Sequence, residues 1–253
     1  MLEKTFHTPL PLELEVGIPS GDVEVETTEG EESNITVDGD ERLLEEVEVR
    51  HDGNRIVVAF RGKAKFGFSL SPLSLVFGSE LRVRASVPHS AGVKVKTASA
   101  DTQLGGHFGP LAINSVSGDV RLRGEVAGDA NLKTVSGDAD LDRVDGDISA
   151  HTVSGDLRIG PVEGSTDLKT VSGDIRLQSV RAGDVRFTSV SGDIEIGIAQ
   201  GSALDVDAGS TSGDLSSEVP LASEPIEGEG DAGPTVVLRG RTVSGDVKVF
   251  RAV

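Results

Sequence analysis

Apolar and polar residues alternate along most of this chain, and the alternation restarts at regular intervals. Val120/Leu122, Ala139/Leu141, Leu157/Ile159, Ile175/Leu177, Ile194/Ile196 and Val247/Val249 each bracket one polar residue. A period of two marks a strand with one buried face. Each pair follows the triplet Ser-Gly-Asp, which recurs at Ser20, Ser117, Ser136, Ser154, Ser172, Ser191, Ser212 and Ser244. A degenerate copy, Ser99-Ala100-Asp101, precedes the regular array, and from Ser99 to Ser191 the steps are 18, 19, 18, 18 and 19 residues. Weaker half-repeats lie between them at Gly128-Asp129, Gly146-Asp147, Gly164-Ser165 and Gly183-Asp184. Gly at a fixed phase marks a turn or bulge.

Short strands, a turn about every nine residues and a strict repeat predict an all-β fold. The expected form is a β-solenoid (β-helix-like) stack of 18–19-residue coils with a less regular β-rich N-terminal part. Coils would stack about 4.8 Å apart, aligning equivalent residues in columns. Val135, Val153, Val171 and Val190, each just before a triplet, are expected to form one buried column. Leu141, Ile159, Leu177 and Ile196 are expected to form another. A sandwich of twinned hairpins is the structural alternative.

Residues 1–95 alternate less regularly and read as continuous with the solenoid or as its cap. Asp52-Gly53-Asn54 predicts a hairpin between 47–49 and 56–60, and 41–46 allows one helical turn. Pro19-Ser20-Gly21-Asp22-Val23 already carries the repeat signature. The regular array occupies 96–215. Residues 216–234 read as an acidic Gly/Pro loop, and 235–253 as closing strands whose Ser244-Gly245-Asp246 ends the stack.

Composition narrows the function. The formal charge is −18, with no Cys, Trp or Tyr and only 8 Phe among 253 residues. Disulfides and thiolate chemistry are excluded, and the net charge opposes nucleic-acid binding. The N-terminus lacks a basic start followed by an apolar run, and no apolar run is long enough to span a membrane. These features predict a cytoplasmic protein, in which the sequon at Asn34 carries no meaning.

The run Thr-Val-Ser-Gly-Asp-apolar-x-apolar, at Thr134, Thr152, Thr170 and Thr242, resembles the bacterial toast-rack family of β-strand-repeat proteins, labelled "putative adhesin". The resemblance implies a stacked β fold, no catalytic residues, and a role as an assembly scaffold linked to envelope-stress systems.

The Asp ladder at Asp119, Asp138, Asp156, Asp174 and Asp193 is the leading candidate feature. Each Asp is expected to cap its own turn, as Asx turns do, helped by Arg121, Arg158 and Arg176. Hard oxygen ligands also admit Ca²⁺ between coils as the lesser reading. Asp138-Ala139-Asp140-Leu141-Asp142 opens like an EF-hand loop but has Arg143 where Gly is needed. Gly228-Glu229-Gly230-Asp231-Ala232-Gly233 matches a dinucleotide fingerprint only in letters, because Pro234 follows and no helix opens. His7, His51, His89, His107 and His151 lack metal-ligand spacing, and no Gly-x-Ser-x-Gly elbow appears. Phe60, Arg61, Lys63, Lys65, Phe66, Phe68 and Phe77 gather aromatic and cationic side chains in one segment, read either as an end cap or as a docking surface.

The expected function is a non-enzymatic scaffold or protein-interaction module with no cofactor. Its protein partner is not legible, and self-association and peripheral membrane contact are open. A surface adhesin exported by an unseen route is the alternative. A polysaccharide-active β-helix enzyme ranks below both, because no Tyr or Trp exists to form a sugar platform.

Overall fold

A computed structural model describes residues 1–61, 80–219 and 234–252. Among these residues twenty-one strands form one continuous sheet that folds into two faces. In the regular part each coil contributes one strand to each face. Ala130–Lys133 lies on the first face, the chain turns at 134–138, and Ala139–Leu141 lies on the second. The coil-to-coil pairings here are parallel, in register except for one shift between Leu177 and Val180 against the following strand, which replaces the hairpin sandwich. The triplet serines bridge from coil to coil, from Ser99 to Ser191.

The core is one side chain deep from each face, because strands present alternate residues inward. Leu141, Ile159, Leu177 and Ile196 stack in register and are buried. Leu132, Ala150, Leu168 and Phe187 form the facing column. Phe187 lies over Gly240 of the next coil, where a Cβ would come within 2.3 Å of its ring. One of the two buried phenylalanines thus sits beside a residue with no side chain.

The valines before the triplets do not form a buried column. Val116, Val135, Val153, Val171, Val190 and Val243 are 44–54% exposed. Leu132 points in and Lys133 out, so Thr134 points in and Val135 must point out. The buried corner column is therefore hydroxylic, with Thr134, Thr152, Thr170, Ser189 and Thr242. The glycine then resets the phase. Gly137 has φ 125°, and a Cβ there would lie 2.3 Å from the Gly118 carbonyl oxygen.

Both ends depart from a simple progression. Near the N-terminus, Glu13–Thr28 is a bent strand that serves both faces and pairs with Gly92–Phe108. Its Ser20, Gly21 and Asp22 align with Ser99, Ala100 and Asp101. Arg55–Phe60 and Leu81–Pro88 form the coil beyond it. Antiparallel strands Val47–Asp52 and Glu32–Asp38 cover that coil, followed by Leu2–His7. The predicted hairpin is present, and the helical turn is Glu41–Glu45.

At the other end the last triplet does not close the stack. Thr235–Ser244 and Val247–Arg251 pair on one side with 183–198 and on the other with Ala203–Ser210 and Leu215–Ser217. The final coil in sequence is thus the penultimate one in space, and the coil of Ser212-Gly213-Asp214 is outermost. Chain order does not reveal this, because both coils carry the same triplet. Strand Leu215–Ser217 also enters the range assigned to the acidic loop, and 220–233 lie outside the described residues.

Candidate functional site

The Asp ladder is a chain of hydrogen bonds between coils. The Asp138 N–H donates to Asp119 Oδ1 at 3.1 Å, Asp156 to Asp138 at 3.0 Å, Asp174 to Asp156 at 3.1 Å and Asp193 to Asp174 at 2.9 Å. It starts at Asp101 and continues through Asp246 to Asp214. Each carboxylate thus accepts from the next coil rather than from its own turn. The reason is the parallel register, which places the next Asp N–H one rung away. The second oxygens of Asp119 and Asp156 meet Arg121 at 2.9 Å and Arg158 at 3.2 Å. Arg176 instead reaches Glu195 of the following coil, at 3.1 Å. Among the described residues no group of three or more His, Asp or Glu side chains has the arrangement of a metal site.

Of the aromatic segment, Phe60 is half-buried against the core. Arg61 donates to Glu48 at 2.6 Å, and this hydrogen bond holds the Glu48 carboxyl below its usual range. Lys63, Lys65, Phe66, Phe68 and Phe77 lie outside the described residues.

The first face carries an unpredicted arrangement. Its outward column nearest the valine corner reads, coil by coil, Lys96, Asn114, Lys133, His151, Lys169, Thr188 and Arg241. Lysine or arginine thus alternates with Asn, His or Thr, each able to hydrogen-bond. The neighbouring outward column adds Lys94, Arg186 and Arg239, and Asp167 is the single carboxylate in these two columns over the seven coils. Each cation of the first column stands three residues before the Ser of its triplet, so aligning the repeats on that Ser would have exposed it.

Local ion pairs hold some of these cations. Lys169 donates to Asp167 at 2.7 Å, Lys96 to Glu15 at 2.9 Å and Arg241 to Asp207 at 2.7 Å. Burial raises the Asp167 carboxyl, but the Lys169 and His151 hydrogen bonds and charges outweigh it and leave it below its usual range. Glu15 behaves likewise, with burial opposed by Lys96 and Arg55. Lys133 makes no ion pair among the described residues. Acidic columns border this lane on both sides. Asp129, Asp147 and Asp184 lie at its start, and the Asp ladder lies beyond the valine corner.

Shallow surface depressions occur among the described residues. One, of about 230 Å³, is lined by Asp140, Asp142, Arg158, Gly160, Arg176 and Gln178 on the second face. Another, of about 410 Å³, lies beside Pro11, Asn54, Ser90 and Pro110. No described helix is long and apolar enough to cross a membrane.

The model of the Toastrack DUF4097 family matches residues 12–250. No curated protein matches the chain. A crystal structure described as a "putative adhesin" from Bacteroides fragilis is 12% identical over 98% of this chain and 96% of its own, with TM-score 0.58. One described as a "putative lipid binding protein" from Parabacteroides distasonis is 14% identical over 98% and 96%, also with TM-score 0.58. At such identities the likeness is one of fold.

Proposed function

The chain belongs to the Toastrack DUF4097 family, and on that basis we propose that it is a non-catalytic binding module that engages an extended partner along its outer columns. The observation that carries this reading is repetition. The stack aligns outward side chains in columns that run from coil to coil, about 4.8 Å apart, over both faces. Catalysis needs one convergent constellation, whereas a repeated column suits a partner that is itself long. The adhesin description of a structural neighbour agrees with such a role.

The test is solid-phase adhesion of the purified full chain to immobilised glycans, proteins and fixed bacterial cells, run beside a turnover screen on the same glycans. Saturable binding that falls on substitution of outward residues is expected, with no release of new reducing ends. Turnover abolished by Asp→Asn changes on the second face would overturn the reading. Cell fractionation checks the cytoplasmic expectation, and recovery with the envelope or medium would turn the module toward adhesion.

The C-terminal end favours self-association as a second mode. Among the described residues Ala203–Ser210 and Leu215–Ser217 are paired on one side only, and unpaired strand edges recruit further strands. Mass growth with concentration in light scattering is expected. A constant single-chain mass would remove this mode.

A further inference from the structure

We propose that the cationic column of the first face and the exposed valine corner beside it form a linear track for an extended acidic polysaccharide, with about one carboxylate or sulfate per disaccharide. This deepens the binding-module reading and rests on it.

Charge comes first. The protein carries −18 overall, yet the two outward columns hold seven cations against one carboxylate over seven coils. Lys96, Lys169, Arg186 and Arg241 pair with neighbouring carboxylates, which leaves Lys94, Lys133 and Arg239 without an ion pair among the described residues. Segregating positive charge on an acidic protein favours a negative ligand at that place and repels it elsewhere. The Asp ladder on one border, and Asp129, Asp147 and Asp184 on the other, disfavour a polyanion outside the lane between them.

Spacing comes second. Lys96, Lys133, Lys169 and Arg241 recur at every second coil, about 9.6 Å apart along the stack. That distance matches the length of a disaccharide unit in an extended glycan. Asn114, His151 and Thr188 fall between the cations, where the uncharged sugar offers hydroxyl groups. From Lys96 to Arg241 the track runs about 29 Å, close to three disaccharides. Duplex DNA fits poorly, because each of its strands carries a phosphate about every 3.4 Å along the axis.

Apolar surface comes third. Val135, Val153 and Val171 stand two residues beyond Lys133, His151 and Lys169 and remain 44–47% exposed. They form a low aliphatic rail on which the C–H face of a sugar ring can rest. A membrane would favour protruding aromatic side chains, and the track has none.

The probes are hyaluronan oligosaccharides of one to six disaccharides, which carry one carboxylate per repeat, and polygalacturonate, which carries one per sugar. Neutral dextran, anionic phosphatidylglycerol vesicles and single-stranded DNA are compared at equal charge. Affinity for hyaluronan should rise to about three disaccharides and then level, and should fall with salt. The double variant Lys133→Ser/Lys169→Ser should weaken it about tenfold, or about 1.4 kcal/mol. Val153→Ser should weaken it less, and Arg50→Ser, on the antiparallel covering strand Val47–Asp52 away from the track, should leave it unchanged. Melting curves confirm that every variant is folded. Failure to bind either acidic glycan, equal binding by the double variant, or preferential binding to vesicles or DNA would overturn the track. If adhesion to another probe then persisted and fell on second-face substitution, the binding-module reading would survive alone. Glycan turnover would sink that reading instead.

Discussion

Asp156 separates the two opposed effects in the Asp ladder. Its Oδ1 accepts the Asp174 N–H at 3.1 Å, and its own N–H donates to Asp138 Oδ1 at 3.0 Å. Asp138 and Asp174 thus flank it one rung away on each side. At about 4.8 Å in water each neighbour repels it by roughly 0.9 kcal/mol. Screening reduces each term to about 0.5 kcal/mol at 0.1 M salt and about 0.2 kcal/mol at 1 M. Asp156→Asn removes this repulsion and keeps an acceptor oxygen. It loses the exposed contact with Arg158, which is worth at most about 1 kcal/mol. The Asn variant should therefore lie near wild type at 0.1 M salt. Raising salt to 1 M should move wild type up relative to Asn by less than about 0.7 kcal/mol, because salt screens the repulsion but also weakens the Arg158 contact. Asp156→Ala removes the repulsion too, but leaves the Asp174 N–H without its acceptor, costing about 1 kcal/mol relative to Asn. In a chain of this size that is about 2–4 °C in Tm. Thermal melts by circular dichroism at both salt concentrations provide the assay. The Asn–Ala gap should persist at high salt, because it reflects a hydrogen bond. Coincident Asn and Ala melts would refute the ladder as a source of stability.

Thr152→Val should stabilise the fold by about 1 kcal/mol in urea denaturation, because the Thr152 hydroxyl is buried without a partner; a loss would mean that the hydroxyl is satisfied. Gly137→Ala should cost about 3 kcal/mol or more, since it joins a left-handed φ to a clash with the Gly118 carbonyl oxygen; a melt within 2 °C of wild type would contradict the coil spacing. The lowered carboxyl of Glu15 stabilises the protein fully above its unfolded range, about pH 4–5, and this contribution disappears as pH falls through the folded value. The melting gap between wild type and Glu15→Gln should therefore be constant near neutrality and close in acid; a gap that widened in acid would reverse the assigned direction. Millimolar Ca²⁺ followed by chelator should leave the melting temperature unchanged, since each ladder Oδ1 already accepts an N–H; a rise with Ca²⁺ would place metal between coils.

The parallel stack was legible because the repeat is a statement about space as well as sequence. An 18–19-residue step returns the chain to the same corner, so Ser117, Ser136 and Ser154 become neighbours. The columns at Leu141 and Ile159 followed from that step alone. The valine corner was misread because hydrophobicity was allowed to override phase. Counting outward from Leu132 places Thr134 inside and Val135 outside, and the resetting glycine comes only afterwards. The swapped order of the last two coils was hidden for a different reason. Columns depend on repeat phase and not on chain order, so Asp193 accepts equally well from Asp246 as it would from Asp214. The cationic column escaped notice because its members are spread over coils 18–19 residues apart and diluted by 42 acidic residues. Fold-keeping positions repeat at every coil, while Lys96, Lys133, Lys169 and Arg241 repeat at every second one. Packing imposes no two-coil period on a solvent-facing residue. A doubled period on the outside of a single-period stack therefore points to what the surface meets rather than to what holds it together.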